Sequence, residues 1–194
     1  KWGGSFENRA RLLQLILQKV RESVGKNFIL AVKINSSDFQ KGGLEISDSV
    51  KIANLIEKEN IDFIEVSGGN FEAPEAYQYV SLKESTKSRE AYFLDAAKNI
   101  KASVSIPIMV TGGFRSISVM EDALTSSSTD LIGIGRPFVI DPSFPYKLLN
   151  GDISVLPAVE RNFPPAQDIP KGAVLNWFCA VSYTHLTLPT TVSV

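Results

Sequence analysis

The residues best suited to chemistry are two glycine-bearing exits from apolar runs. Gly112-Gly113 follows the run at 106–110, and Gly135-Arg136 follows the run at 130–134. Without a Cβ, a glycine lets backbone N–H groups come close to an anion. Arg136 adds a permanent charge with a fork of donors. Pro137 suits the first turn of a helix, whose N-terminal end attracts anions. The set fits a phosphate group; it equally describes two tight turns with an arginine in a surface ion pair. A dinucleotide fingerprint is a weaker reading, because Gly133-Ile134-Gly135 is followed by Phe138 where a third glycine belongs. A GxxxxGK[ST] loop is absent.

Lys33 is the next candidate, a charge near the end of an apolar run followed by Asn35, Ser36, Ser37 and Asp38. Pointing inward, it brings a cation to the mouth of a barrel. Pointing outward, it is a rim lysine with its stem on apolar surface. Glu65 stands in the corresponding place of the next run and reads best as the cross-strand ion-pair partner of Lys33. Cys179 reads as an incidental thiol, and Glu7 and Arg9 as helix-start residues. Asn35-Ser36-Ser37 matches a glycosylation triplet without any other mark of secretion.

The elements that must position these residues alternate. Apolar residues at 13, 16, 17, 20 and 24 predict a helix over 5–24 with Gly25 ending it. Continuous apolar runs predict strands at 28–34, 62–66, 106–110 and 130–134. Between them lie helices at 47–59, with Ser47 as N-cap, at 89–101 and at 116–124. A long polar loop covers about 70–87. Strands alternating with helices mean βα units and a parallel sheet, whose C-terminal edge carries function. Beyond Asp141 the chain is punctuated by prolines, with a short helix near 146–149 and irregular structure after it. The stretch 180–194 is uncharged and threonine-rich and alternates as an edge strand does. Residues 179–194 therefore read as a non-native or disordered tail. The one histidine, His185, falls inside it.

The chain of 194 residues has 44% hydrophobic and 21% charged residues, the mix of one globular domain. Twenty Lys and Arg against 21 Asp and Glu leave a net charge of -1. No basic surplus favours nucleic acid or an anionic membrane. One cysteine cannot form an internal disulfide, which favours a reducing, cytoplasmic setting. No apolar run reaches the length of a membrane span. The opening KWGGSFENRARLL lacks the form of a signal peptide and starts as if in mid-motif.

Six segments appear together in the order of a known family: WGGSFENRAR at 2–11, VKINSSDFQKGG at 32–43, IEVSGG at 64–69, REAYFL at 89–94, PIMVTGGFR at 107–115 and DLIGIGRP at 130–137. In these the chain resembles the C-terminal half of an old yellow enzyme-type NADH:flavin oxidoreductase, over residues 1–178. The resemblance implies an α/β fold, a partial (β/α)8 barrel comprising the last four of eight strands. It implies FMN as cofactor and NADH or NADPH as reductant. Gly112, Gly113, Gly135 and Arg136 match the family's grip on the FMN phosphate. Lys33 matches the basic residue, commonly Arg, beside the flavin N1/C2=O edge, where a cation favours the anionic reduced ring. A lysine there is a point charge and not a planar fork.

The resemblance also implies an activated alkene, enone-like, as the small-molecule substrate. The family's substrate-binding pair and proton-donating tyrosine precede the GGSFENR segment, so no catalytic residue and no metal ligand is assigned here. Two other readings stand beside it. One is a truncated half-barrel or interaction module, with open edges that favour self-association into a homo-oligomer. The other is a different phosphate-binding barrel, an aldolase or isomerase.

Overall fold

The computed structural model of the chain describes residues 1–39, 41–68, 90–164, 168, 170 and 173–186. Four strands form one parallel sheet in sequence order: β1 (Ala31–Asn35), β2 (Phe63–Ser67), β3 (Ile108–Thr111) and β4 (Leu131–Gly133). Helices α1 (Phe6–Val24), α2 (Ile46–Ile56), α3 (Leu94–Lys101) and α4 (Ile117–Thr125) alternate with them. After β4 come the short helices α5 (Arg136–Ile140) and α6 (Phe144–Leu149), then α7 (Ala173–Leu186).

Alternation along the strands assigns two faces. Val32, Ile34, Ile64, Val66, Ile108 and Val110 are all buried, packed with Leu17 of α1, Ala53 and Ile56 of α2, and Ala97 and Ile100 of α3. Each of the valine, leucine and isoleucine side chains among them removes apolar surface from water and contributes roughly 1.5–3 kcal/mol. The intervening residues lie in cross-strand rows on the other face. One row pairs Lys33, Glu65, Met109 and Leu131 in register; the next pairs Asn35 with Ser67 and Thr111 with Gly133.

The N-terminal ends of the strands are stitched by a repeated device. Asp62, just before β2, accepts the Leu30 N–H at 2.7 Å and pairs with Arg21. Asp130, just before β4, accepts the Ile108 N–H at 2.9 Å and pairs with Lys101. The Leu30 N–H and then the Arg21 guanidinium hold the Asp62 carboxyl below its ordinary range. Burial works against ionisation of Asp130, but Lys101 and the Ile108 N–H prevail and hold it low as well.

Several expectations need correction. The first strand starts at Ala31, leaving Phe28 and Ile29 exposed outside it. Ile16 and Val24, placed inward by the helical spacing, are exposed too. Ser47 lies within α2, which begins one residue earlier behind Glu45, and a 3-10 turn at Glu57–Glu59 ends that element. The helix expected from 89 begins at Leu94. The long loop around 70–87 lies outside the described residues. Residues 179–186 continue α7, where the alternation of the sequence suggested an edge strand. Val174 and Phe178, one helical turn apart, are both buried and fix that helix's inner face. Cys179, on the following position, is exposed.

Candidate functional site

In a parallel sheet all strands leave by the same edge, so the exits of β1, β3 and β4 converge. A cleft of about 440 Å³ opens there. Lys33, Gly112, Gly113, Gly135 and Arg136 all line it, so the structure brings together the five residues singled out in the sequence. Thr111, Arg115, Val174 and Phe178 join them.

Each glycine has its own reason. Gly112 and Gly113 turn the chain with φ of +148° and +81°, a region that side-chain-bearing residues avoid. Gly133 lies so close to the Thr111 side chain that a Cβ would stand 1.7 Å from Thr111 Oγ1. Gly135 differs: a Cβ there would meet nothing within 4 Å. The β4 exit therefore presents bare backbone to open space in the cleft.

The charged side chains among the described lining residues are cations. Lys33, Arg115 and Arg136 line the cleft, and none of its described lining residues is a carboxylate. Arg115 is buried and donates from Nη1 to the Phe114 carbonyl at 2.7 Å. Lys33 sits in register with Glu65 and pairs with it at 2.5 Å, as expected from the sequence. The Lys33 side chain is still 55% exposed. Its ammonium is thus paired on one side and accessible on the other. Thr111 Oγ1 is buried and lacks a hydrogen-bond partner among the described residues. A buried hydroxyl in that condition costs free energy that a bound polar group would relieve.

These features fit a flavin mononucleotide. Bare backbone at Gly112, Gly113 and Gly135 with the Arg136 guanidinium could hold an anionic end, and the Lys33 ammonium on the open face of the sheet could hold a polar ring edge. Val174 and Phe178 supply apolar wall from α7, a contribution that sequence reasoning missed because it took the segment before the tail as irregular. Their i,i+4 spacing was the available signal.

Comparison with known proteins adds independent support. The profile of the NADH:flavin oxidoreductase / NADH oxidase family matches residues 1–152. The NADH-dependent flavin oxidoreductase iliE of Neonectria sp. (strain DH2) is 37% identical over 153 residues, covering 74% of this chain and 20% of that protein. A 2-naphthoyl-CoA reductase, solved with 2-naphthoyl-CoA, superposes with a TM-score of 0.70 at 32% identity, covering 80% of this chain and 24% of that one. The old yellow enzyme homologue of Zymomonas mobilis shares the fold, with a TM-score of 0.59 at 20% identity over 89% of this chain and 44% of its own. The four-stranded unit is accordingly part of a (β/α)8 barrel, and the chain spans less than half the length of these relatives.

Proposed function

The chain belongs to the NADH:flavin oxidoreductase / NADH oxidase family, and from that premise we propose that its cleft holds FMN in an oxidoreductase acting on an activated alkene. The observation that carries this reading is the meeting of Gly112, Gly113, Gly135, Arg136 and Lys33 around one cleft. Bound FMN would supply hydride transfer from NADH or NADPH to the electron-poor carbon of an enone-like substrate. The residues of this chain bind and bias. Arg136 and the glycine backbone anchor the phosphate. Lys33 places positive charge beside the ring edge, and Glu65 moderates that charge from the neighbouring strand. Val174 and Phe178 keep water from one side of the cleft.

The alkene is the finer part of the proposal. It is supported by the 2-naphthoyl-CoA reductase likeness, since that protein's name denotes reduction of a conjugated ring system. A second reading rests on the open sheet face, where Leu131 is 42% exposed. On this reading the 194 residues are an incomplete portion of the catalyst, with 179–194 foreign to it. Proton donation to substrate then falls to residues outside the described lining of the cleft.

Titration with FMN tests the site. Arg136→Ala is expected to weaken FMN binding to the complete flavoprotein by about 1.5–3 kcal/mol, the span of a charge-assisted hydrogen bond. Unchanged FMN retention on dialysis of that variant counts against the assignment.

A further inference from the structure

Resting on the reading of the cleft as the FMN phosphate site, we propose that Glu90, Tyr92 and Phe93 form a clasp that holds the 112–116 turn in its anion-binding shape. These residues touch neither strand end in sequence; they reach the turn through space from the segment before α3.

The clasp grips the turn at both ends. At its far end, Glu90 Oε2 accepts the backbone N–H groups of Arg115 and Ser116, each at 2.7 Å, and Glu90 Oε1 accepts the Ser116 hydroxyl. Ser116 is the N-cap of α4. The carboxylate of Glu90 therefore occupies the start of that helix, where an anion would otherwise be drawn. A ligand anion is left with the glycine side of the turn.

At the near end, the clasp works by shape. The Phe93 ring lies 2.6 Å from where a Cβ would stand on Gly112, and equally 2.6 Å from where one would stand on Gly68 at the exit of β2. One ring thus fills the notch between two neighbouring strand exits. The Tyr92 ring lies against Gly113 in the same manner, at 2.7 Å from the Cβ position. Phe93 is 7% exposed and stacks on Phe39 at 6.2 Å between centroids. Bringing these side chains into place bends the backbone at Ala91, whose φ is +54°. That conformation costs an alanine free energy, and it persists where surrounding contacts over-determine it. Here the contacts are the carboxylate before it and the two rings after it.

The clasp makes Glu90 and Phe93 positioning residues for the phosphate end of the cofactor. A scaffold role alone would lower affinity for any flavin. A positioning role at the phosphate discriminates between FMN and riboflavin, which lacks that group. In the complete flavoprotein, Glu90→Gln and Phe93→Leu are titrated with both. Each is expected to raise the Kd for FMN about tenfold, the loss of one slackened charge-assisted contact, and to leave the Kd for riboflavin unchanged. Glu90→Asp is expected to recover part of the FMN affinity. Equal loss for both flavins, or loss for neither, overturns the clasp. If Phe93→Leu does not fold, Glu90→Gln, which keeps the side-chain size, decides alone. Arg136→Ala run alongside separates the two ideas. Discrimination by Arg136→Ala without discrimination by the clasp variants removes the clasp and keeps the phosphate site. Failure of Arg136→Ala to discriminate removes the phosphate site itself.

Discussion

On one face of the sheet, Ile64, Val66, Ile108 and Val110 are fully buried under helices; on the other, Lys33, Glu65, Met109 and Leu131 make a cross-strand row that nothing in the described chain covers to the same degree. Adjacent residues of the same strands differ in this way because successive side chains point to opposite faces. The covered face is made of apolar residues chosen by packing. The open face admits a lysine and a glutamate, whose charges burial under helices would make costly. Stability and chemistry are thus written on alternate residues of the same strands. The open face also leads directly to the strand exits, where the cleft gathers its cations.

The largest expected effect concerns closure of the open face. Residues 1–194 alone, given excess FMN and NADH, are expected to reduce an enone no faster than free flavin does. Loose positioning removes orders of magnitude in rate. Stoichiometric FMN binding with turnover well above that background would show that the open face needs no further covering.

Substitutions on the two faces should separate next. Ile64→Ala, on the buried face, is expected to cost about 2–5 kcal/mol of unfolding free energy. Met109→Ala, one row away on the open face, is expected to cost under about 1 kcal/mol in this chain. Denaturant titration checks both, and similar losses at the two positions would erase the distinction between the faces.

Much of this division was legible from the sequence, and the exceptions have physical causes. Strand order and parallel pairing followed from apolar runs separated by amphipathic segments. The convergence of Gly112-Gly113 with Gly135-Arg136 followed from each pair standing just past a strand, because parallel strands exit at one edge. Lys33 and Glu65 were readable as partners because they hold the same place in consecutive strands. The start of β1 was not readable: Phe28 and Ile29 continue the apolar run, yet Asp62 fastens the Leu30 N–H and the ladder begins only after it. The clasp was invisible for another reason. Phe93 shows helical periodicity with Ala96, Ala97 and Ile100, and that pattern hides the notch its ring fills between Gly68 and Gly112. A glycine whose missing Cβ is occupied by a distant ring leaves no local trace in sequence.

A smaller effect probes the charge on the open face. Lys33→Ala is expected to lower the flavin reduction potential in the complete protein by tens of millivolts, on the order of 30 mV for each 1.4 kcal/mol of lost charge stabilisation. Lys33→Arg should largely preserve it. Glu65→Gln should raise it, because the remaining ammonium is no longer offset. Potentiometric titration of the three variants checks the order; an unchanged potential in Lys33→Ala refutes the placement of that cation beside the ring.

The smallest effect belongs to the scaffold in acid. Asp141 accepts from Lys147 Nζ at 2.7 Å and from Ser143, and these contacts lower its pKa from 3.8 to about 2. Asp62 and Asp130 are lowered too, by their strand-end N–H groups and basic partners. A carboxylate with a lower pKa folded than unfolded stabilises the fold above its unfolded value, and that contribution disappears as the pH falls through the folded one. Thermal stability is expected to be flat through neutral pH and to decline below about pH 4. Asp141→Asn should flatten the lowest part of that decline. A decline that starts near pH 6 would point to other groups.

A structure of the complete flavoprotein with FMN bound decides where the phosphate sits. The phosphate is expected between Gly112-Gly113 and Gly135-Arg136, with the Lys33 ammonium at the edge of the ring. A phosphate held elsewhere, with this cleft filled by side chains, would contradict this placement.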